Sequence, residues 1–234
     1  MSGHSNSSVL TRRQLLGMDG SHLVQASVGP AGATALLHAD AAQAFAAMRE
    51  AAQQEGIGLS VASGFRSFDR QLAIWNTKAR GERACHDDAG NRLDLASMEA
   101  WDAVQAILRF SALPGTSRHH WGSDMDVFDE KAVPCDYRLQ LVAEEYAEQG
   151  PFHAMHNWLE QRAGEFGFFR PYREDRGGIA PEPWHLSYRP LAEQCENAMS
   201  ASQWAQQTEA VDLAYKETVM AKLHDIFERF VQIP

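Results

Sequence analysis

Three features of this sequence predict an α+β fold, a small and mainly antiparallel sheet packed by helices. Apolar side chains recur at helical spacing over residues 35–54 and lead through Gly56 into a short run that is β-branched at two positions. Two more strand-like segments, residues 125–128 and 184–188, lie far apart, with helical patterns between them. Each adjoins a dense polar motif, so the sheet is expected to carry a site in a cleft.

The elements follow in chain order. Phe45, Met48 and Ala52 mark the buried face of the first helix, with Asp40 as its expected cap. Residues 57–62 alternate well enough for a strand. Ser63-Gly64-Phe65-Arg66-Ser67 then turns the chain into a helix over 68–80 containing Leu72, Ile74 and Trp75. Residues 80–94 are polar, contain two glycines and read as a surface loop over a cleft. Met98, Trp101, Val104, Ile107 and Leu108 predict a helix over 97–110, which Pro114-Gly115 ends. Helices are expected over 138–149 and 152–165, and one or two more over 190–231. The organisation expected is an N-terminal extension (1–34), a main domain (35–190) and a C-terminal helical extension (191–234) packed on that domain.

Composition narrows the function. The chain has 234 residues and 44% hydrophobic content, enough for one well-buried domain. A formal net charge of −10 argues against nucleic acid or an anionic membrane as the main partner, since both need clustered Lys and Arg. Cys85, Cys135 and Cys195 are widely spaced and form no CxxC pair, so neither a disulfide framework nor a thiolate metal site is expected. No run approaches the ~20 apolar residues of a membrane span. Arg12-Arg13 precedes two leucines, but Asp19, Gly20 and His22 interrupt the apolar stretch an export signal needs. A cytoplasmic location is expected, with export by another route as the alternative.

The chemistry lies in a split motif, Ser117-Arg-His119-His-Trp-Gly122-Ser-Asp-Met-Asp126 and Glu182-Pro-Trp-His185. His119 and Asp126 are seven positions apart and could not face one point along a regular strand, so Gly122 must supply a bend. Imidazole nitrogen and carboxylate oxygen both suit zinc, and His185 is the expected third ligand, leaving one coordination position open. Zinc brings the pKa of a bound water near ~7, and Glu182 can then act as general base and acid. Arg66, at a strand-to-helix turn, is the cation best placed to share oxyanion charge. Singly, each residue has a structural explanation: a satisfied histidine, a turn-capping aspartate, an ordinary ion pair.

In combination they resemble a family. Ser-x-His-x-x-Gly-x-x-x-Asp followed by Glu-x-Trp-His is similar to the zinc D-alanyl-D-alanine carboxypeptidases of the VanY type, in the group that also holds lysostaphin-like enzymes and the hedgehog signalling domain. Ser63-Gly-Phe-Arg66-Ser-Phe-Asp-Arg-Gln71 resembles that family's Ser-Gly-Tyr-Arg-Ser-x-x-x-Gln segment, and residues 158–168 resemble its helix leading into a Gly-Phe strand. The resemblance implies one zinc per chain on His119, Asp126 and His185, with Glu182 as the catalytic carboxylate and Arg66 on the oxyanion. It also implies that Gln71 and Ser117 help bind the terminal D-residue of a peptidoglycan-derived peptide. Trp184, beside a ligand, is expected to line the cleft.

The implied activity is removal of a C-terminal D-alanine from D,D- or L,D-linked stem peptides. The alternatives are a peptidoglycan endopeptidase and a non-catalytic zinc module for peptide recognition. Two departures stand out. Phe65 replaces a common tyrosine, and Asp124 replaces a usual alanine on the strand face shared with Asp126, where it could bind metal, repel a substrate carboxylate or pair with Arg118. His120 is expected to point away from the metal. His153 and His156 lack an obvious third ligand. Arg66, Arg118 and Arg170 are the candidate cations for a substrate carboxylate, and nothing decides the oligomeric state.

Overall fold

The computed structural model describes residues 10–30 and 32–232. After a single helical turn, α1 (Arg12–Leu15), β1 (Leu23–Ser27) pairs antiparallel with β2 (Thr34–His38). Residues 35–38 are therefore strand, not the helix start that their apolar spacing predicts. Pairing with β1 satisfies their backbone, and only Leu37 among them is fully buried. α2 (Ala39–Gln54) starts one residue before Asp40, and the cap is His38, whose Nδ1 accepts the Asp40 N–H at 3.3 Å. β3 (Leu59–Ser63) and α3 (Phe68–Ala79) fall where the sequence places them.

The polar stretch after α3 contains a small hairpin, β4 (Cys85–His86) and β5 (Arg92–Leu93), and leads into α4 (Ala100–Leu108). β6 (Asp124–Asp129) follows. The helix expected over 138–149 shrinks to one turn, α5 (Ala143–Tyr146), because Leu141 has φ of +54° and breaks the pattern. Then come α6 (His153–Arg162), a 3-10 turn (Ala163–Phe166), β7 (Phe168–Phe169) and β8 (His185–Tyr188). The C-terminal region is more broken than expected: α7 (Arg189–Ala198), α8 (Ala201–Gln207), α9 (Lys216–Ala221), α10 (Leu223–Ile226) and a π-helical turn (Phe227–Val231). An extended Met199-Ser200 link and Tyr215 at φ +58° interrupt it.

The predicted α+β class holds. The main sheet is antiparallel throughout, in the order β3–β6–β8–β7. Phe45 and Met48 of α2 and Trp158 of α6 pack against Leu59, Met125, Val127 and Leu186 of the sheet. A second core joins Trp75 of α3 and Ile107 of α4 to Trp204, Val219 and Phe227 of the C-terminal region. Two indoles lock that region down: Trp204 donates to Pro114 O at 2.7 Å and Trp75 to Ala214 O at 3.0 Å. The polar end of the sheet opens between these two cores. No helix among the described residues is long and apolar enough to cross a membrane.

Candidate metal centre and cleft

The register of the sheet builds half of the site. Asp126 on β6 lies directly opposite His185 on β8, and Asp124 opposite Ser187, so both aspartates and His185 share one face. His119 arrives from a 3-10 turn (Arg118–Trp121) that ends at Gly122, which has φ of +71°. A Cβ there would lie 2.5 Å from a Leu23 methyl and 2.7 Å from the His38 nitrogen, so only glycine makes this bend against β2. The result is convergence: one ligand atom each from His119, Asp126 and His185 lies within 4.8 Å of the others.

The outer atoms of these side chains fix their direction. His119 Nδ1 donates to Gly64 O at 2.8 Å, which leaves Nε2 facing Asp126 Oδ2 at 3.5 Å. His185 Nε2 lies 3.0 Å from Asp124 Oδ1. A carboxylate only accepts, so Nε2 carries the hydrogen and Nδ1 faces inward, 3.1 Å from Asp126 Oδ1 and 3.4 Å from Glu182 Oε2. Burial alone would lower the His185 pKa, but hydrogen bonds to Asp124, Asp126 and Glu182 outweigh it and hold the imidazole well above its ordinary value. Burial also opposes ionisation of Asp126, and the His119 and His185 contacts overcome it and keep the carboxyl well below the usual range. This N,O,N set, with its outer nitrogens occupied and the Glu182 carboxylate beside its inner atoms, fits a divalent cation of the zinc type.

Asp124 is fully buried and does not join the donor set. Besides His185 it accepts from Arg118 Nε at 2.9 Å, Ser187 Oγ at 3.1 Å and the Ser123 hydroxyl. Of its three expected roles, pairing with Arg118 is the one observed. Arg118 is held further by Glu196 of α7 and by Ser187 Oγ at 2.7 Å. It lines the cleft, but its charge is already matched by carboxylates. Arg170 is likewise taken, by Glu160 at 2.8 Å and by His156 O at 3.0 Å.

The cleft beside the donors is lined by Arg66, Ser117, Glu182 and Trp184, together with Tyr172 and Phe110. Arg66 Nη1 donates to Gln71 Oε1 at 3.0 Å and has no carboxylate partner among the described residues. Gln71 itself is fully buried behind Arg66, its amide nitrogen on Ala112 O at 2.7 Å, and does not line the cleft. His120 points away from the donors, as expected. Gly115 N–H donates to its Nε2 at 3.1 Å, so Nδ1 carries the hydrogen and donates to Arg66 O at 2.6 Å. Burial pushes this imidazole down to about 3. His153 and His156 bond to Asn157 and Arg170 and belong to no metal cluster among the described residues.

Residues 34–191 match the VanY family of D-alanyl-D-alanine carboxypeptidases. The chain belongs to that family. An uncharacterised protein of Haemophilus influenzae is 45% identical over 104 residues, covering 44% of this chain and 70% of its own length. A D-alanyl-D-alanine carboxypeptidase of Enterococcus faecalis is 28% identical over 142 residues, covering 59% of this chain and 43% of the relative. Among solved structures, the LD-carboxypeptidase LdcB is similar at 25% identity with a TM-score of 0.50, over 84% of this chain and 76% of that one. The family places the chain among hydrolases of peptidoglycan peptides.

Tyr172 is the cleft residue that sequence reading passed over. Its ring centroid lies 4.9 Å from that of His185, and burial raises its phenol pKa. It follows the β7 strand across a proline, and no spacing rule ties that position to the ligands.

Proposed function

We propose that this chain is a zinc-dependent carboxypeptidase that removes a C-terminal D-alanine from D,D- or L,D-linked peptidoglycan stem peptides, with one zinc on His119, Asp126 and His185. The observation that carries this reading is the orientation of the three donors. Gly64 O and Asp124 take the outer nitrogens of the two histidines, so both inner nitrogens face the space beside Asp126, where a bound cation would replace the proton that the carboxylates hold on His185 Nδ1. Zinc held there would supply Lewis acidity, making water more acidic and the scissile carbonyl more electrophilic.

The chain's own groups would do the rest. Glu182, with Oε2 3.4 Å from His185 Nδ1 and its side chain 17% exposed, borders the donors while remaining open to the cleft. In this reading it takes a proton from the attacking water as oxygen bonds to the carbonyl carbon. It returns the proton to the amide nitrogen as the C–N bond breaks, leaving a shortened peptide and free D-alanine. Arg66 faces the same cleft without a carboxylate of its own, so its guanidinium is available for the developing oxyanion; Gln71 and the His120 bond to Arg66 O hold it there. Ser117, which lines the cleft, would contact the leaving residue, and Trp184, tilted against Tyr146 with ring centroids 5.7 Å apart, would form an apolar wall of the cleft.

The test is mass spectrometry of defined tetrapeptide and pentapeptide stems incubated with zinc-loaded protein and with Glu182→Ala. Loss of one D-alanine with the wild-type protein only is expected, and the peptide consumed identifies the linkage. Unchanged peptides in both samples would refute the reading, and internal cleavage would turn it into an endopeptidase.

A further inference from the structure

The C-terminal end of α3, the β4–β5 hairpin and residues 94–96 enclose a cavity of about 610 Å³ separate from the cleft. Its charged lining is one-sided: Lys78, Arg80, Arg83 and Arg92 against Asp94, in a chain of formal net charge −10. Arg80 is matched by Glu82 at 2.7 Å, and Asp94 accepts the Ala96 N–H at 3.3 Å. Among the described residues, the side chains of Arg83 and Arg92 make no hydrogen bond or ion pair. Lys78 is only 8% exposed, and its single hydrogen bond runs from Nζ to Ser111 Oγ at 2.7 Å. A buried ammonium without a counter-charge is costly, so an anion entering here would gain what the chain itself leaves unmatched.

The cavity adjoins the cleft. Ser111 lines the cleft, so the Lys78–Ser111 hydrogen bond is part of the partition between the two spaces. Gln71, which holds Arg66, and Lys78 are both buried residues of α3, seven positions and thus about 10 Å apart along the helix axis. An extended peptide covers that distance in roughly three residues.

We propose that this cavity is an anion subsite in which Lys78 and Arg83 take a free carboxylate of the peptide substrate, remote from the scissile bond. This inference rests on the reading that the chain acts on stem peptides. Those peptides offer two suitable groups, the α-carboxylate of the γ-linked glutamyl residue and the side carboxylate of a diaminopimelyl residue. Burial lowers the Lys78 pKa, and a bound carboxylate would act against that.

The experiment measures binding of an uncleaved ligand, so it does not depend on turnover. The tripeptide L-Ala-γ-D-Glu-diaminopimelate, its C-terminal carboxylate free throughout, is titrated calorimetrically into the zinc-loaded protein in three forms: the other two carboxylates free, the glutamyl one amidated, and the diaminopimelyl side one amidated. The free form is expected to bind at least ten-fold tighter than one of the amidated forms, which identifies the carboxylate used. Lys78→Met and Arg83→Ala should each shrink that preference below three-fold while leaving the amidated form within two-fold of wild type. Amidation effects under two-fold in the wild-type protein, or variants that weaken all three forms equally, would overturn the subsite. Arg83 is exposed, so its variant keeps the test intact even if the buried Lys78→Met fails to fold. A protein that shows the carboxylate preference yet releases no D-alanine would overturn the peptidase reading alone.

Discussion

Asp124 is the residue whose removal most directly tests how the donors are oriented. In Asp124→Ala, His185 Nε2 loses its acceptor at 3.0 Å and Arg118 loses one of its two carboxylate partners. Two costs follow and can be separated. Arg118 has a side chain only 2% exposed, and breaking a buried pair by removing one partner typically costs ~3–5 kcal/mol of folding stability. Loss of a hydrogen bond that orients a metal-bound imidazole typically weakens metal binding 10–100-fold, or ~1.4–2.7 kcal/mol at ~1.36 kcal/mol per decade. Zinc affinity is read by competition with a chromogenic chelator on folded protein, and stability by denaturation of the metal-free chain. Glu196→Gln is the control. It removes the other carboxylate from Arg118 without touching His185, so it should lower stability while leaving zinc affinity within two-fold of wild type. Equal zinc affinities for Asp124→Ala, Glu196→Gln and wild type would show that Asp124 merely balances Arg118.

Three further outcomes are expected. Gly122→Ala should cost more than ~2 kcal/mol and abolish tight zinc binding, because a left-handed residue and a Cβ 2.7 Å from the His38 nitrogen cannot both be kept; denaturation and chelator competition check it, and a wild-type zinc affinity would refute it. Arg109→Met should cost about 1 kcal/mol and speed proteolysis within residues 172–181, since Arg109 joins Asp88 of the hairpin loop to Asp175 and Gly178 O, with both acids well exposed. His120 has a folded pKa of about 3 against an ordinary 6.5, so the unfolded chain takes up a proton that the folded one refuses between those values, and stability falls as the solution is acidified. From pH 7 to 5 the loss from this group is about 2 kcal/mol, and metal-free His120→Gln should lack that part of the slope in denaturation measured at both values.

The legible parts of the site are those fixed by local geometry. His119, Gly122 and Asp126 declare a bend because seven residues cannot otherwise bring two side chains to one point, and the observed left-handed Gly122 is that bend. The pairing of Asp126 with His185 is a matter of strand register between segments 59 residues apart; donor chemistry names His185 as a partner, but no local spacing fixes the register. The start of α2 is not legible locally, because the apolar side chains of residues 35–37 suit either period and the arbiter, pairing with β1, lies outside that window. The breaks in the C-terminal region are hidden for a related reason. Trp204, Val219 and Phe227 are spaced to meet Trp75 and Ile107 across a tertiary boundary, not to line one face of a continuous helix.

The cations show most clearly why charge type alone did not locate a carboxylate pocket. Arg66, Arg118 and Arg170 looked equivalent in the sequence, but in the fold each charge is defined by what already meets it. Arg118 is committed to Asp124 and Glu196, and Arg170 to Glu160. Arg66 alone of the three meets no carboxylate, and it stands in the cleft. Lys78, further along α3, is buried and meets only the Ser111 hydroxyl. A cation that the fold buries and leaves unmatched is a stronger pointer to a ligand than one that is merely present. On that ground the proposed recognition of substrate charge is sought on α3, where Gln71 holds Arg66 and Lys78 has no carboxylate partner among the described residues.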